Sequence, residues 1–425
     1  MAADHPGTGL LIVGASQAGV QLAISLRALG FTDPVTLIGD EDHRPYQRPA
    51  LSKEFLQDKI TKESLIFRSE DYWREHDIDV VKGEFIEKVH TEPDGSGTAY
   101  AAGGRTFDFD RLALTAGARA RRLEVPGADL DGVLYLRNAD DALELKARVP
   151  HIRRVVVVGG GFIGIEAAAS LHTLGKDVTL VEYADRLVAR AVGERTSAFL
   201  ADHHRRCGID IRLGTGVQAI VGADGHVTGV DIGSEVFAAD LVLVGIGVVP
   251  NTELAEQLGL AVDNGIVVDR FATASDGHTL AVGDCANLPN PAPGADPGSR
   301  VRFESVNHAI EQAKVAAYAA TGRRADYAGV PWFWSNQGDL KLQIAGLSTG
   351  HDQVVDRSPA DPTKHSVLYY RNGRLIAADC VNVPLDFMMV KQALAAGVDL
   401  SADRVADPSV ALKPILTAAL EGERA

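Results

Sequence analysis

The stretch 155–182, VVVVGGGFIGIEAAASLHTLGKDVTLVE, decides the fold. Four consecutive valines with no polar neighbour suit a strand covered on both faces, as in a parallel sheet. Gly159, Gly161 and Gly164 follow at G-x-G-x-x-G spacing. The first permits a tight turn, the second lets backbone N–H groups approach a pyrophosphate, and the third lets the next helix lie close to the strand. That helix aims its positive end at the phosphates. A second apolar strand, 178–181, stops at Glu182, 18 residues beyond Gly164. A carboxylate there accepts hydrogen bonds from an adenosine ribose. A glycine triplet alone says little. Strand, loop, helix, strand and acid in that order predict a dinucleotide site.

Working toward the N-terminus, the same theme returns in altered form. An apolar run at 10–13 leads into GASQAG, Gly14 to Gly19, with Ser16 where the fingerprint has its middle glycine. Serine is small and adds a hydroxyl for a phosphate, so this reads as a variant of the loop. A helix over 20–29 and a strand over 35–38 follow. Asp40, 21 residues after Gly19, takes the ribose position in preference to Glu41. Two such units, starting 145 residues apart, imply two dinucleotides in one chain.

The chain of 425 residues has room for about three domains. With 46% apolar and 23% charged residues it reads as a well-buried globular protein. A net charge of −15 offers no long-range attraction to nucleic acid or an anionic membrane. Cys207, Cys285 and Cys380 lie far apart without a C-x-x-C, which argues against a disulfide framework or a local redox dithiol. Three reduced thiols, no signal peptide and no apolar run of membrane-spanning length predict a cytoplasmic protein. His203-His204 is the closest histidine pair, and no third ligand stands at useful spacing, so no metal site is expected.

The remaining segments fill in the organisation. RPYQRPALSK, 44–53, is either a solvated loop or a cationic lid over a pyrophosphate or an electron-rich ring. A helix over 70–76 and strands near 80–81 and 85–89 precede a strand over 109–115, which runs into a close backbone approach at Ala116-Gly117. Strands near 209–212 and 227–232 flank a helix ending at about 206. The run 241–251, LVLVGIGVVPN, is a buried strand turning at Gly245 and Gly247. The strand 280–284 delivers Asp284 at its C-terminal end, where ligands sit in open α/β sheets. The Pro- and Gly-rich 289–299 reads as a mobile loop, and a helix covers 306–320. From Pro331 the pattern changes. PWFWSNQ puts Trp332 and Trp334 on one strand face and Phe333 on the other. Strands at 341–345, 367–370 and 375–378, then helices, make a separate α+β domain.

Taken together, GASQAG, RPYQRPALSK, TAGARA, LYLR, VVVGGGFIGIE, GIGVVPN, LAVGDCA and PWFWSNQGD resemble, in order, the FAD-dependent, NADH-linked ferredoxin reductases of oxygenase systems. RPALSK and PWFWSNQ are the more specific of these. The resemblance implies an α/β fold with two Rossmann-like, three-layer, mostly parallel dinucleotide-binding domains and a C-terminal α+β domain. The FAD domain would comprise 1–118 and 250–328, the NAD domain 119–249, and the C-terminal domain 329–425. FAD contacts implied are Gly14, Ser16, Ala18, Gly19, Asp40, Arg48, Lys53, Ile86, Ala116, Gly117, Arg137, Gly283, Asp284 and Val306. Asp284 would hold the ribityl chain, and Trp334 would cover the flavin side facing the electron acceptor. NADH contacts implied are Gly159, Gly161, Phe162, Ile163, Gly164, Glu182, Arg190 and Gly247. Phe162 stands where the family has an aromatic that yields to nicotinamide. Lys53 and Glu166 are expected as an ion pair near flavin N5.

The function so implied is transfer of electrons from NADH through FAD, one at a time, to a two-iron, two-sulfur ferredoxin. That ferredoxin would serve a haem monooxygenase or a Rieske dioxygenase and dock transiently by charge. Glu182 favours NADH, since a carboxylate repels a 2′-phosphate, while Arg186 and Arg190 are cations within sequence reach of one. Family ferredoxins are acidic, so a chain at −15 must offer a local basic patch, with Arg302 and Lys341 as candidates. A rubredoxin reductase, an NADH oxidase, or an NADH-sensing signalling flavoprotein resembling apoptosis-inducing factor are the alternatives. The sequence carries no signal for oligomeric state.

Overall fold

The structure is a computed structural model that describes residues 8–292, 295–327 and 329–422. It divides into two compact units. The first gathers Met1–Gln47, Lys62–Arg119 and Val249–Gly329, and the second gathers Arg48–Thr61, Ala120–Val248 and Val330–Ala425.

The first unit is built on a five-stranded parallel sheet in the order Leu280–Ala281, Arg111–Leu114, Leu10–Val13, Val35–Ile38, Ile78–Val81. Strand Leu10–Val13 is central, and its side chains alternate between two cores, as a period of two requires. Leu10 and Ile12 pack with the helices Gln17–Ala28 and Val306–Ala320. Leu11 and Val13 pack with the antiparallel meander Ile86–Thr91, Gly97–Ala101 and Thr106–Phe109. The sheet is therefore the middle of three layers, which explains why its central strand, Leu10–Val13, reads as an unbroken apolar run. The strand expected over 109–115 is two strands broken at Asp110, whose carboxylate accepts the Gly9 N–H at 2.7 Å.

The second unit repeats the plan. Its parallel sheet runs Asp210–Arg212, Asp177–Val181, Arg154–Val158, Leu241–Val244, Val133–Tyr135. Val155 and Val157 face one core with Ile165, Leu171 and Leu200 from the helices Phe162–Thr173 and Glu194–Arg206. Val156 and Val158 face the other, with Ile220, Val227 and Val230 from an antiparallel meander. Each fully buried valine contributes roughly 1.5–3 kcal/mol, so this one strand anchors both cores. The unit also holds an antiparallel five-stranded sheet, Trp332–Gln337, Leu340–Gly346, Arg374–Val381, His365–Arg371 and Gln353–Asp356. Helix Pro384–Ala396 covers one face of it and ends at Gly397 in the left-handed conformation (φ 72°).

Segment Arg48–Thr61 packs with the second unit although its flanks belong to the first. Leu56 enters the second unit's core, and Gln57 Nε2 donates to Ser170 Oγ at 2.9 Å. The ends of the 289–299 loop are paired: Leu288 with Val301, Pro289 with Arg300, and Asn290 N–H donating to the Ser299 carbonyl at 2.9 Å. Residues 293–294 of that loop lie outside the described residues, as do 1–7, 328 and 423–425 at the edges of the expected domains.

Candidate functional site

In the first unit, strand Leu10–Val13 hands the chain to Gly14, whose φ of 120° a side chain rarely adopts. A β-carbon on Gly19 would lie 2.1 Å from the Gly14 carbonyl oxygen. Both glycines are thus demanded by the turn and by helix packing. Ser16 is different. It occupies the N-cap of helix Gln17–Ala28 in an extended conformation (φ −108°) that any residue adopts, so its side chain is accommodated. Ala18 is buried in the first two turns of that helix.

Two further loops reach the ends of the neighbouring strands. Thr115 Oγ1 bonds the Gly14 carbonyl at 2.8 Å, tying the loop to Ala116-Gly117, where Gly117 has φ 65°. Asn251 locks that turn, its N–H donating to the Gly117 carbonyl at 3.0 Å and its Nδ2 to the Ala116 carbonyl at 2.8 Å. Gly283 (φ 85°) donates its N–H to Gln312 Oε1 at 2.8 Å, and Asp284 follows in a short 3-10 turn. Val306 opens helix Val306–Ala320, capped by Ser305 Oγ accepting from the His308 N–H at 3.1 Å.

Asp40 is exposed at the end of its strand, whereas Glu41 accepts from Tyr46 Oη at 2.6 Å. Ile86 is buried in the core. Arg302 is not a surface cation: its side chain is 7% exposed and donates to the Asp284 carbonyl at 3.0 Å and to Glu304 at 2.6 Å. Fixing that carbonyl occupies it, which removes it as a docking candidate, whereas Lys341 is exposed.

This cradle fits FAD. Glycines remove side chains where backbone N–H groups must meet a diphosphate. Asn307 Nδ2, on the first turn of helix Val306–Ala320, is a buried donor with no protein partner, and a bound acceptor would satisfy it.

In the second unit, Gly159 has φ 108°, and a β-carbon on Gly164 would lie 2.0 Å from the Gly159 carbonyl oxygen. A β-carbon on Gly161 would meet nothing within 4 Å beyond its chain neighbours, so that glycine faces open space. Glu182 ends strand Asp177–Val181. One of its oxygens accepts the Gly160 N–H and the other the Ala184 N–H at 2.7 Å, which fixes the carboxylate. Arg186 is committed to its own loop, donating to the carbonyls of Val192 (2.7 Å) and Ala189 (2.6 Å). Arg190 is exposed, and its guanidinium lies 3.4 Å from where a β-carbon on Gly247 (φ 98°) would stand. Ile163 is 43% exposed, and Phe162 opens the helix with its ring 4.3 Å from that of Phe333.

The 44–53 loop is no solvated strap at its end. Lys53 is buried, and its Nζ lies 2.9 Å from Glu166 Oε2. Glu166 also accepts from Ser52 Oγ at 2.6 Å (Oε2) and from Ser335 Oγ at 2.7 Å (Oε1). A buried charge pair persists only with such additional donors. Arg48 Nη1 donates to the Arg137 carbonyl at 2.8 Å, beside the Asn138 capping box of helix Ala139–Arg148. Trp332 and Trp334 share a face, with ring centroids 5.4 Å apart, and Phe333 faces the other way.

No thiol is poised for chemistry. Cys285 and Cys380 are fully buried, and burial pushes the Cys285 thiol up to about 11 and that of Cys380 higher still. Exposed Cys207 is also raised, by partial burial and by Asp339. A thiolate nucleophile needs the opposite shift.

Residues 8–313 match the pyridine nucleotide-disulphide oxidoreductase family, and 332–416 match the reductase C-terminal family. The chain belongs to the pyridine nucleotide-disulphide oxidoreductase family. Within this family it is 42% identical to rhodocoxin reductase of Rhodococcus erythropolis, over 95% of this chain and 93% of that one. Among solved structures it is similar to the ferredoxin reductase for the CYP199A2 system of Rhodopseudomonas palustris, with a TM-score of 0.91 and 39% identity, covering 97% of this chain and 100% of that one. It is also similar to the reductase in a covalent putidaredoxin reductase–putidaredoxin complex, with a TM-score of 0.90 and 36% identity, covering 97% and 99%.

The structure adds residues that the motifs did not single out: Thr115, Asn251 and Gln312 in the first unit, and Ser52, Ser335, Gln337 and His204 in the second. Ser335 and Gln337 carried a signal. They alternate with Phe333 on one strand face, and two polar residues on an inward face require partners.

Proposed function

We propose that this protein is an NADH-dependent flavoprotein reductase that passes electrons through FAD, one at a time, to a two-iron, two-sulfur ferredoxin serving an oxygenase. FAD and NADH are its cofactors. The observation that carries the reading is the pairing of two glycine-built nucleotide loops in one chain with thiols that are buried or raised. Electrons therefore leave without a cysteine relay. The named reductases above, and the putidaredoxin in one of those structures, support an iron–sulfur protein as acceptor. Docking is taken as transient and electrostatic. FAD binding is assigned to 1–118 and 250–328, NADH binding to 119–249, and 329–425 to the C-terminal domain. The reduced thiols favour a cytoplasmic location. Among the described residues, no helix is long and apolar enough to cross a membrane.

When bound, FAD supplies a flavin that takes hydride from NADH and releases electrons singly. The chain supplies position and charge. Gly14, Ser16, Ala18 and Gly19 leave room for the FAD diphosphate, with Asp40 at its ribose, Asp284 and Gly283 at the ribityl chain, and Val306 at the following helix N-terminus. Arg48, Ile86, Ala116, Gly117 and Arg137 line the remainder, and Trp334 shields the side facing the acceptor. Gly159, Gly161, Phe162, Ile163, Gly164, Arg190 and Gly247 receive NADH. Glu182 selects it, because its fixed carboxylate has lone pairs for a 2′-hydroxyl and repels a 2′-phosphate. Lys53 places positive charge near the electron-rich ring and Glu166 compensates it at rest. An anaerobic titration tests this. NADH should bleach the yellow holoprotein, and two equivalents of a two-iron ferredoxin should restore the colour. A holoprotein that NADH does not bleach overturns the reading, and reoxidation only by rubredoxin or oxygen would reassign the acceptor.

A further inference from the structure

The second unit contains a buried polar chain that continues beyond the Lys53–Glu166 pair. Ser335 Oγ donates to Glu166 Oε1 at 2.7 Å, Gln337 Nε2 donates to Ser335 Oγ at 3.1 Å, and His204 Nε2 lies 3.0 Å from Gln337 Oε1. Ser335 and Gln337 are fully buried, and Glu166 and His204 are each 3% exposed. Helix and strand periodicity put these groups in line. Phe162 and Glu166 are one turn apart on helix Phe162–Thr173, and Phe333, Ser335 and Gln337 share one face of strand Trp332–Gln337. The Phe162–Phe333 ring contact and the Glu166–Ser335 bond are successive rungs of the same packing.

The direction of every bond follows from one end. An ionised carboxylate only accepts, so the Ser335 hydroxyl must donate to it. Ser335 Oγ then accepts from an amide N–H, which turns the Gln337 carbonyl toward His204. That carbonyl only accepts, so His204 must carry its proton on Nε2. Burial lowers the proton affinity of His204 despite the Gln337 bond, which keeps the ring neutral near pH 7. An amide is a poor proton conduit, so Gln337 makes this chain a holder of charge and orientation and not a proton wire.

We propose that Ser335, Gln337 and His204 are positioning residues that hold the Glu166 carboxylate, and through it the Lys53 ammonium, in the arrangement that tunes the flavin. The proposal rests on the reading of Lys53 and Glu166 given above. Donors aligned toward the carboxylate share its negative charge. Losing one leaves that charge concentrated on Lys53 and weakens the pull of Lys53 on reduced flavin.

Two measurements on the holoprotein test it. Nitrogen NMR of histidine-labelled wild type should show the His204 ring as the Nε2–H tautomer, assigned by the signal lost in His204→Gln, and an Nδ1–H ring overturns the chain. Ser335→Ala and His204→Leu should each slow NADH-driven bleaching by roughly threefold or more and lower the flavin midpoint potential. His204→Gln, which keeps an N–H donor, should stay nearer wild type. Wild-type rates and potentials in both Ser335→Ala and His204→Leu overturn the proposal. If wild type itself does not bleach, the reductase reading fails, and the tautomer still decides whether the chain is aligned.

Discussion

Glu166 is held by an ammonium and two hydroxyls inside the protein, and that makes each of its partners costly to remove. Lys53→Ala strands a buried carboxylate, so unfolding in urea should show a loss of about 3–5 kcal/mol. The same variant should slow NADH-driven bleaching by more than about threefold, or ~0.7 kcal/mol of barrier. Glu182 works at the specificity end. With its carboxylate gone and Arg186 occupied by carbonyls, Glu182→Ala should erase a preference for NADH over NADPH of at least roughly tenfold, read from initial rates with each coenzyme. A third carboxylate, Asp379, is fully buried under Tyr369 Oη and the Gly193 N–H. Burial raises it to about 6. A carboxyl raised in the folded chain binds its proton more tightly there than in the unfolded chain, so stability falls as pH rises from about 4 to about 6 and stays lowered above. Asp379→Asn should remove that fall. Relative to wild type it should gain up to about 3 kcal/mol between about pH 4.5 and 7 in urea titrations.

At the scale of the element, the two glycine loops separate what the chain needs from what a ligand needs. Gly161→Ala should leave thermal stability nearly unchanged, with a cost under about 1 kcal/mol as an N-cap change. Gly164→Ala should cost more than about 2 kcal/mol, because its β-carbon would meet the Gly159 carbonyl at 2.0 Å. Ser16 in the first loop already shows the exchange tolerated. This is also where the sequence was most readable. Runs such as 10–13 and 155–158 are apolar on both faces because both faces are covered, and helix Val306–Ala320 spans the residues expected for it. Short edge and meander strands such as Gly97–Ala101, Ala219–Ala223 and Gln353–Asp356 escaped notice. They are half-exposed, and their pairing is set by neighbours and not by their own pattern. The same reason hid the roles of Ser52 and His204. A polar residue announces its role only through its partner, and Ser52 meets Glu166 across 114 positions of sequence.

For the whole molecule, the decisive feature is the interleaving of the two units along the chain. A fragment made of residues 120–248 joined to 330–422 would keep Glu166 but lose Lys53 and the Leu56 side chain from its core. It should fail to fold cooperatively by circular dichroism, and a peptide spanning 48–61 should restore structure when added. Synthesis imposes its own timetable on this arrangement. The first unit awaits the strand Leu280–Ala281 and the helix Val306–Ala320, while the second awaits everything after Val330. Neither can close before Val306 and the residues that follow have left the ribosome, so strands of both sheets stay uncovered until then, and the nascent chain is a natural client for chaperones over that interval.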